Sequence, residues 1–314
     1  MRPRDQTRAA RLEVALREFD ARVRALPGIR PARHLQCLVA QIVDSLRRIE
    51  FAHHVRDHRH DPRRTDPTSA LFDPLKAAVL HNRRGDPDEA YWLVFLATHF
   101  GKHAEDGWRL ARDVYGRLGG PGLWDWPRTS ADLPGFRNWV ARNQETLRGG
   151  DGVRRRFSNH RKYLSLRADS GAGLPAVVES YVGWINPPRT HQGLIRELHR
   201  QVGQNPPVVF GALYTSMDVV KQFGRLGKFD YLAMLGKLGI APIEPDSAYL
   251  SEATGPLAGA RLLFEGDAAI KRGDGELDQR VAELDAQLNV GMQVLEDALC
   301  NWQKSPSQYL HFRG

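Results

Sequence analysis

Apolar residues recur every three or four positions along most of this chain, and that period admits helices and little else. Leu35, Leu38, Val39, Ile42, Leu46 and Ile49 lie on one face of a helix predicted over residues 32–51, with Arg47 and Arg48 outside. Leu277, Val281, Leu284, Leu288, Met292, Leu295, Leu299 and Trp302 keep the same steps, so one long amphipathic helix is expected there, its stripe turned to core rather than to a dimer surface. Helices are also expected near 6–25, 69–82, 88–103, 105–118, 134–147, 190–203, 208–223 and 228–238. Another runs through Val177, Val178, Tyr181, Val182 and Ile185 and stops at Pro187 and Pro188. The apolar run Ala90 to Thr98 is too short to span a bilayer and reads as a helix buried on all sides. No hairpin dipeptide stands between alternating runs, and no repeat has a fixed period. The expected fold class is all-α, two helical lobes with a cleft between them.

With 314 residues, 41% of them hydrophobic, the chain is long enough for a well-buried core. Three segments are expected: a basic N-terminal helix or arm at 1–30, a two-lobed helical domain at 31–266, and a long helix with its tail at 267–314. Only Cys37 and Cys300 are present, which is no disulfide framework and fits a reducing cytoplasm. The N-terminus has no apolar stretch of the secretory kind. No Walker, Rossmann, nucleophile-elbow or zinc signature occurs, so neither cofactor nor metal is expected. Four histidines fall between His53 and His60. Without a carboxylate or Cys at ligand spacing they read as a solvated, proline-terminated loop.

The 45 Lys and Arg against 37 Asp and Glu leave a net charge of +8, which suits a polyanionic partner. The excess is local. Arg154-Arg-Arg-Phe-Ser-Asn-His-Arg-Lys-Tyr163 interleaves bases with aromatic rings and an amide, the mixture that suits phosphate oxygens. Phe223 to Gly266 is nearly neutral and holds seven glycines, four of them in two clusters, Leu235-Gly-Lys-Leu-Gly239 and Thr254-Gly-Pro-Leu-Ala-Gly-Ala260. These are expected to be tight turns between helices with open backbone amides. Trp124 and Trp126 fall between helices and are expected in the core.

Leu235 to Gly239 followed by Ile243-Glu-Pro-Asp-Ser in a basic all-α chain resembles the helix-hairpin-helix DNA glycosylase superfamily. Four further phrases sharpen the resemblance: Phe157-Ser-Asn-His-Arg-Lys-Tyr163, Ser180-Tyr-Val-Gly-Trp184, Phe223-Gly-Arg-Leu-Gly-Lys-Phe-Asp-Tyr231 and Ala253-Thr-Gly-Pro-Leu-Ala-Gly-Ala-Arg-Leu-Leu263. Together they are similar to the third clade of the α-glutamyl/putrescinyl thymine pyrophosphorylases, a divergent branch of the glycosylase-like fold.

The resemblance implies an enzyme acting on DNA whose thymine has become 5-hydroxymethyluracil and been pyrophosphorylated by a DNA-base kinase. Pyrophosphate is expelled and an amine, putrescine or an amino acid such as glutamate, is attached to the 5-methylene carbon. It further implies DNA and a small amine as partners, base flipping, a cytoplasmic location at nucleoid or phage DNA, and no membrane. Asp246 is then the general base or the group that positions the amine. Arg161 and Lys162, with His160 and Lys237, neutralise pyrophosphate, and Asn159 reads the uracil edge. Gly236, Gly239 and Gly255 present amides to DNA phosphates, and Tyr163, Tyr249 or Phe229 stacks on the extruded base. Glu244 and Glu252 bind the amine.

Each role has a plainer counterpart. Asp246 also suits a helix cap, and Lys237 suits solvent. Asp230 and Glu252 are alternative carboxylates, either able to serve as base or to pair with Arg161. A DNA glycosylase or lyase, and a non-catalytic DNA-binding helical module, are the competing functions.

Overall fold

The protein is described here from a computed structural model that covers residues 3–185, 190–270 and 274–311. Among the described residues there are fourteen α-helices and no strand: α1 (Pro3–Arg22), α2 (Ala32–Asp57), α3 (Pro74–Arg83), α4 (Pro87–Phe100), α5 (Arg109–Tyr115), α6 (Trp126–Ala131), α7 (Leu133–Leu147), α8 (Leu174–Ile185), α9 (His191–Val202), α10 (Pro206–Ser216), α11 (Arg225–Lys237), α12 (Gly255–Glu265), α13 (Leu277–Leu288) and α14 (Met292–Trp302). The all-α expectation holds. Pro187 and Pro188, expected to stop α8, lie outside the described residues. None of the described helices is long and apolar enough to cross a membrane.

Two boundaries differ from expectation for identifiable reasons. α2 continues through His53 and His54 to Asp57, so the histidine cluster begins on a helix and not in a loop. His60 then bonds the Val55 carbonyl through Nε2 at 2.7 Å, and among the described residues no group of three or more His, Cys, Asp or Glu is placed to hold a metal. The long C-terminal helix is two helices. Asn289 adopts the left-handed conformation (φ 50°) and ends α13, while the Asp285 carboxylate accepts from the amides of Val290 at 3.0 Å and Gly291 at 2.7 Å. The apolar period carries across the break because α13 and α14 face one core.

The chain divides into two compact units, Met1–His53 with Pro245–Gly314, and His54–Glu244. The first is built on Leu16, Phe19, Leu38, Ile42, Leu263, Leu284, Leu295 and Trp302, all essentially inaccessible. Two of its glycines serve close packing. A Cβ on Gly259 would stand 2.3 Å from the Leu299 carbonyl oxygen, and one on Gly255 would stand 2.7 Å from Cys300 Sγ. These two positions, one turn apart, let α12 lie against α14.

The second unit surrounds α4, which packs against α3, α5, α6, α9 and α11 and is buried from Glu89 through Ala97, as its all-apolar run leads one to expect. Trp124 and Trp126 are buried as well. Glu89 is 2% exposed and takes the Tyr115 hydroxyl at 2.8 Å and the Trp126 amide at 2.7 Å. Burial pushes its carboxyl up from 4.5 to about 7, against the pull of those two bonds. A carboxyl whose folded pKa is raised holds its proton more tightly in the native state. Its stabilising share is therefore complete below pH 4.5 and is lost as pH rises through 7. That share is on the order of 3 kcal/mol. Glu89→Gln should remove this slope, so urea-unfolding free energies of parent and variant should diverge in the variant's favour between pH 4.5 and pH 8. Parallel curves would mean that Glu89 titrates normally.

Candidate active site

The second unit assembles a charged site from three pieces of chain: the end of α4, the segment after Phe157, and α11. Gly101 (φ 66°) ends α4 and, lacking a side chain, admits Ser158, whose Oγ would lie 2.1 Å from a Cβ there. The Ser158 amide bonds the Phe100 carbonyl at 3.0 Å, and Phe157 packs its ring against Phe100 and His99. A single turn follows, with Arg161 N–H on the Ser158 carbonyl and Leu164 N–H on that of Arg161. This turn directs Arg161 inward and leaves Asn159, His160, Lys162 and Tyr163 exposed, Tyr163 by 63%.

Arg161 donates from Nε to the Thr98 carbonyl at 3.0 Å and from Nη2 to Asp230 Oδ2 at 2.8 Å. Its side chain is 6% exposed, whereas that of Asp230 is 44% exposed. Protein crowds the carboxylate while water still reaches it. Crowding raises the Asp230 pKa against the opposing charges of Arg161, Lys237, Arg225 and His160, and the water contact keeps that rise below what a sealed group would undergo. Lys237 follows Asp230 by seven residues, two turns on the same side of α11 and about 10 Å along its axis. Lys162 makes no ion pair among the described residues.

The arginines that open the basic run have another task. Arg155 is 6% exposed and donates to Asp113 at 2.6 Å, to Asp151 at 2.7 and 2.8 Å, and to the Thr146 carbonyl at 2.8 Å. Arg156 bonds Asp106 at 2.7 Å and Glu105 at 2.5 Å, and Arg154 lies 3.7 Å from Glu105. Their charge is matched inside the unit, so the anion-binding reading narrows to residues 159–163.

The first glycine cluster closes α11. Gly239 (φ 65°) forms the left-handed end, the amides of Gly239 and Ile240 return to the carbonyls of Gly236 and Leu235, and a Cβ on Gly236 would meet the Ile243 carbonyl at 2.3 Å. Both amides are thus committed within the turn, and no α-helix follows until α12 begins at Gly255.

Glu244 is exposed in this unit. Asp246, Tyr249, Glu252 and Gly255 belong to the other. Asp246 is exposed and accepts the Tyr249 hydroxyl at 2.7 Å. It caps no helix, because the Leu250 amide goes to Asp278 at 3.1 Å.

Two features had no sequence signal. Half-buried Asp88 and the buried His191, Tyr181 and Tyr231 form a chain of hydrogen bonds across α4, α9, α8 and α11. Asp88 receives His191 Nδ1–H at 2.7 Å, so Nε2 accepts from Tyr181 at 2.6 Å and Tyr181 accepts from Tyr231 at 2.8 Å. Burial favours the neutral imidazole that this direction requires, against the Asp88 charge. Tyr231 is the neighbour of Asp230, and the chain holds α11 in rotation. His99 is 1% exposed among Phe95, Phe100, Phe157 and Phe223, with neither ring nitrogen bonded. Burial, then the Arg161 charge, lowers its pKa to about 3.

A family model described as alpha-glutamyl/putrescinyl thymine pyrophosphorylase clade 3 matches residues 33–314. No curated protein and no solved structure matches the chain.

Proposed function

The chain belongs to clade 3 of the alpha-glutamyl/putrescinyl thymine pyrophosphorylase family, enzymes of modified thymine in DNA, and from that premise we propose that it displaces pyrophosphate from 5-pyrophosphoryloxymethyluracil with an amine. The observation that carries this reading is the Arg161–Asp230 pair: a water-accessible carboxylate ringed by cations, which can serve a polyanionic leaving group and a proton donor together. Arg161, Lys237, His160 and Lys162 would neutralise the departing pyrophosphate. Asp230 would take a proton from the attacking ammonium. The nitrogen then bonds the 5-methylene carbon as the carbon–oxygen bond breaks, and that electron pair leaves with pyrophosphate.

Asp230 takes the base role here in preference to Asp246, which makes no ion pair among the described residues and has its oxygen bonded by Tyr249. Asn159, exposed beside these cations, suits the uracil edge, and Tyr163 suits stacking on an extruded base. The substrate's pyrophosphate requires a preceding phosphoryl-transfer step on hydroxymethyluracil, and a DNA-base kinase is its proposed source.

Nucleoside mass spectrometry after incubating 5-pyrophosphoryloxymethyluracil DNA with putrescine or amino acids tests the reading. Expected is an adduct of the amine mass, with pyrophosphate released only when amine is present. Abasic sites in place of adducts would identify a glycosylase, and an unchanged nucleoside with every amine would leave a DNA-binding module.

A further inference from the structure

Arg161 and Asp230 are bonded to one another at 2.8 Å. Of the five N–H donors of the Arg161 guanidinium, one is held by Thr98 and one by Asp230. The guanidinium lies beneath and the carboxylate reaches water, as their exposures of 6% and 44% require. An ammonium approaching Asp230 therefore meets a carboxylate already matched by Arg161, with Lys237, Arg225 and His160 also acting on it. Like charges repel it.

Resting on the function proposed above, we propose that Asp230 is the amine subsite and that it opens only when a pyrophosphate group is bound. A pyrophosphate oxygen pair is a stronger partner for a guanidinium than a single carboxylate oxygen, because it offers bidentate geometry and greater charge. It draws Arg161 away from Asp230 and cancels the surrounding positive charge, and the carboxylate then accepts the ammonium. The order of binding follows: modified DNA first, amine second.

The exchange also times the chemistry. The ammonium gives one proton to the uncovered Asp230, and its lone pair forms the carbon–nitrogen bond as the carbon–oxygen bond breaks. The leaving pyrophosphate carries that electron pair out against Arg161. When pyrophosphate departs, Arg161 returns to Asp230 and the carboxylate releases its proton to water. A site built this way does not hold amine while no leaving group is present.

Equilibrium dialysis of the full chain with labelled putrescine, and separately with labelled glutamate, tests the order without DNA and without turnover. Each amine is titrated alone, with saturating inorganic pyrophosphate, and with sulfate at matched ionic strength. Binding at least tenfold tighter with pyrophosphate than in the other two conditions is expected for at least one amine. Asp230→Asn should lose that gain, which separates it from ion pairing between amine and pyrophosphate in solution. Arg161→Gln should bind putrescine without pyrophosphate.

Equal affinity with and without pyrophosphate in the parent protein, or no binding of either amine in any condition, overturns the proposal; neither result depends on a variant folding. Pyrophosphate-dependent amine binding with no adduct on modified DNA would sink the proposed reaction and leave the binding order standing. Adducts formed by a protein with no binding order would do the reverse.

Discussion

Asp230→Asn should lower amine-dependent pyrophosphate release by about 10²- to 10⁴-fold, the range lost when a general base is removed. The amide is isosteric with the carboxylate and keeps an oxygen for Arg161 Nη2, which now lies 2.8 Å from Oδ2. What disappears is the charge and the ability to take a proton. Because Arg161 is 6% exposed and loses its carboxylate, that retained oxygen is what keeps the fold, and the thermal unfolding curve of the variant is measured beside its rate. Loss of rate without loss of fold is the expected signature.

The pH profile adds an independent check. Crowding raises the pKa of Asp230, so the acid limb of kcat/KM should fall at a higher pH than for an ordinary aspartate. The limb should vanish in the Asn variant. Should Asp246→Asn abolish turnover while Asp230→Asn leaves it intact, the base would lie in the Asp246 turn instead.

Arg155→Met should cost about 3–5 kcal/mol of stability, the usual effect of breaking a buried ion pair from one side. Arg155 is 6% exposed and ties Asp113, Asp151 and the Thr146 carbonyl together. Removing it leaves Asp113, 11% exposed, with Arg112 as its remaining cation. Arg154→Ala, at a side chain 74% exposed, should stay within about 0.5 kcal/mol of the parent. Urea denaturation of the two variants measures both.

The acid side of this network has a definite sign. Hydrogen bonds from Arg155 hold the Asp151 carboxyl down at about 2, from 3.8. A depressed carboxyl stabilises above its unfolded pKa and loses that contribution as pH falls through the folded one, here between about 4 and 2. The Met variant should lack this part of acid unfolding. A fully stable Arg155→Met protein with weakened DNA binding would restore the whole basic run to the ligand site.

These two residues also mark how far the chain could be read as text. Ala90 to Thr98 was legible as a buried helix because an unbroken apolar run has no other stable setting in water. Trp124 and Trp126 were legible because they fall between helices and not on a charged face. The C-terminal helix was half legible: its apolar period continues through Asn289 and Gly291, and only the left-handed backbone there divides α13 from α14. Arg154 to Lys162 was legible as basic, yet Arg155 and Arg161 are both buried and have opposite uses. One is saturated by Asp113 and Asp151; the other keeps donors uncommitted beside an accessible carboxylate.

The glycines carry the same lesson. Clusters that suggest open amides are, at Gly255 and Gly259, places where two helices touch, and at Gly236 a place where a returning chain lies on a helix. Glycine permits both, and only the neighbour reveals which.

By itself the sequence determined the helical class, the buried centre of the second unit and the family phrases, because apolar period and short motifs are local properties of the chain. The tertiary structure alone decided the partners. Asp230 meets Arg161 across 69 residues, and His191 meets Asp88 across 103. A charge acquires its chemistry from what stands within a few ångströms and from how much water remains there. Neither quantity is written in the order of residues.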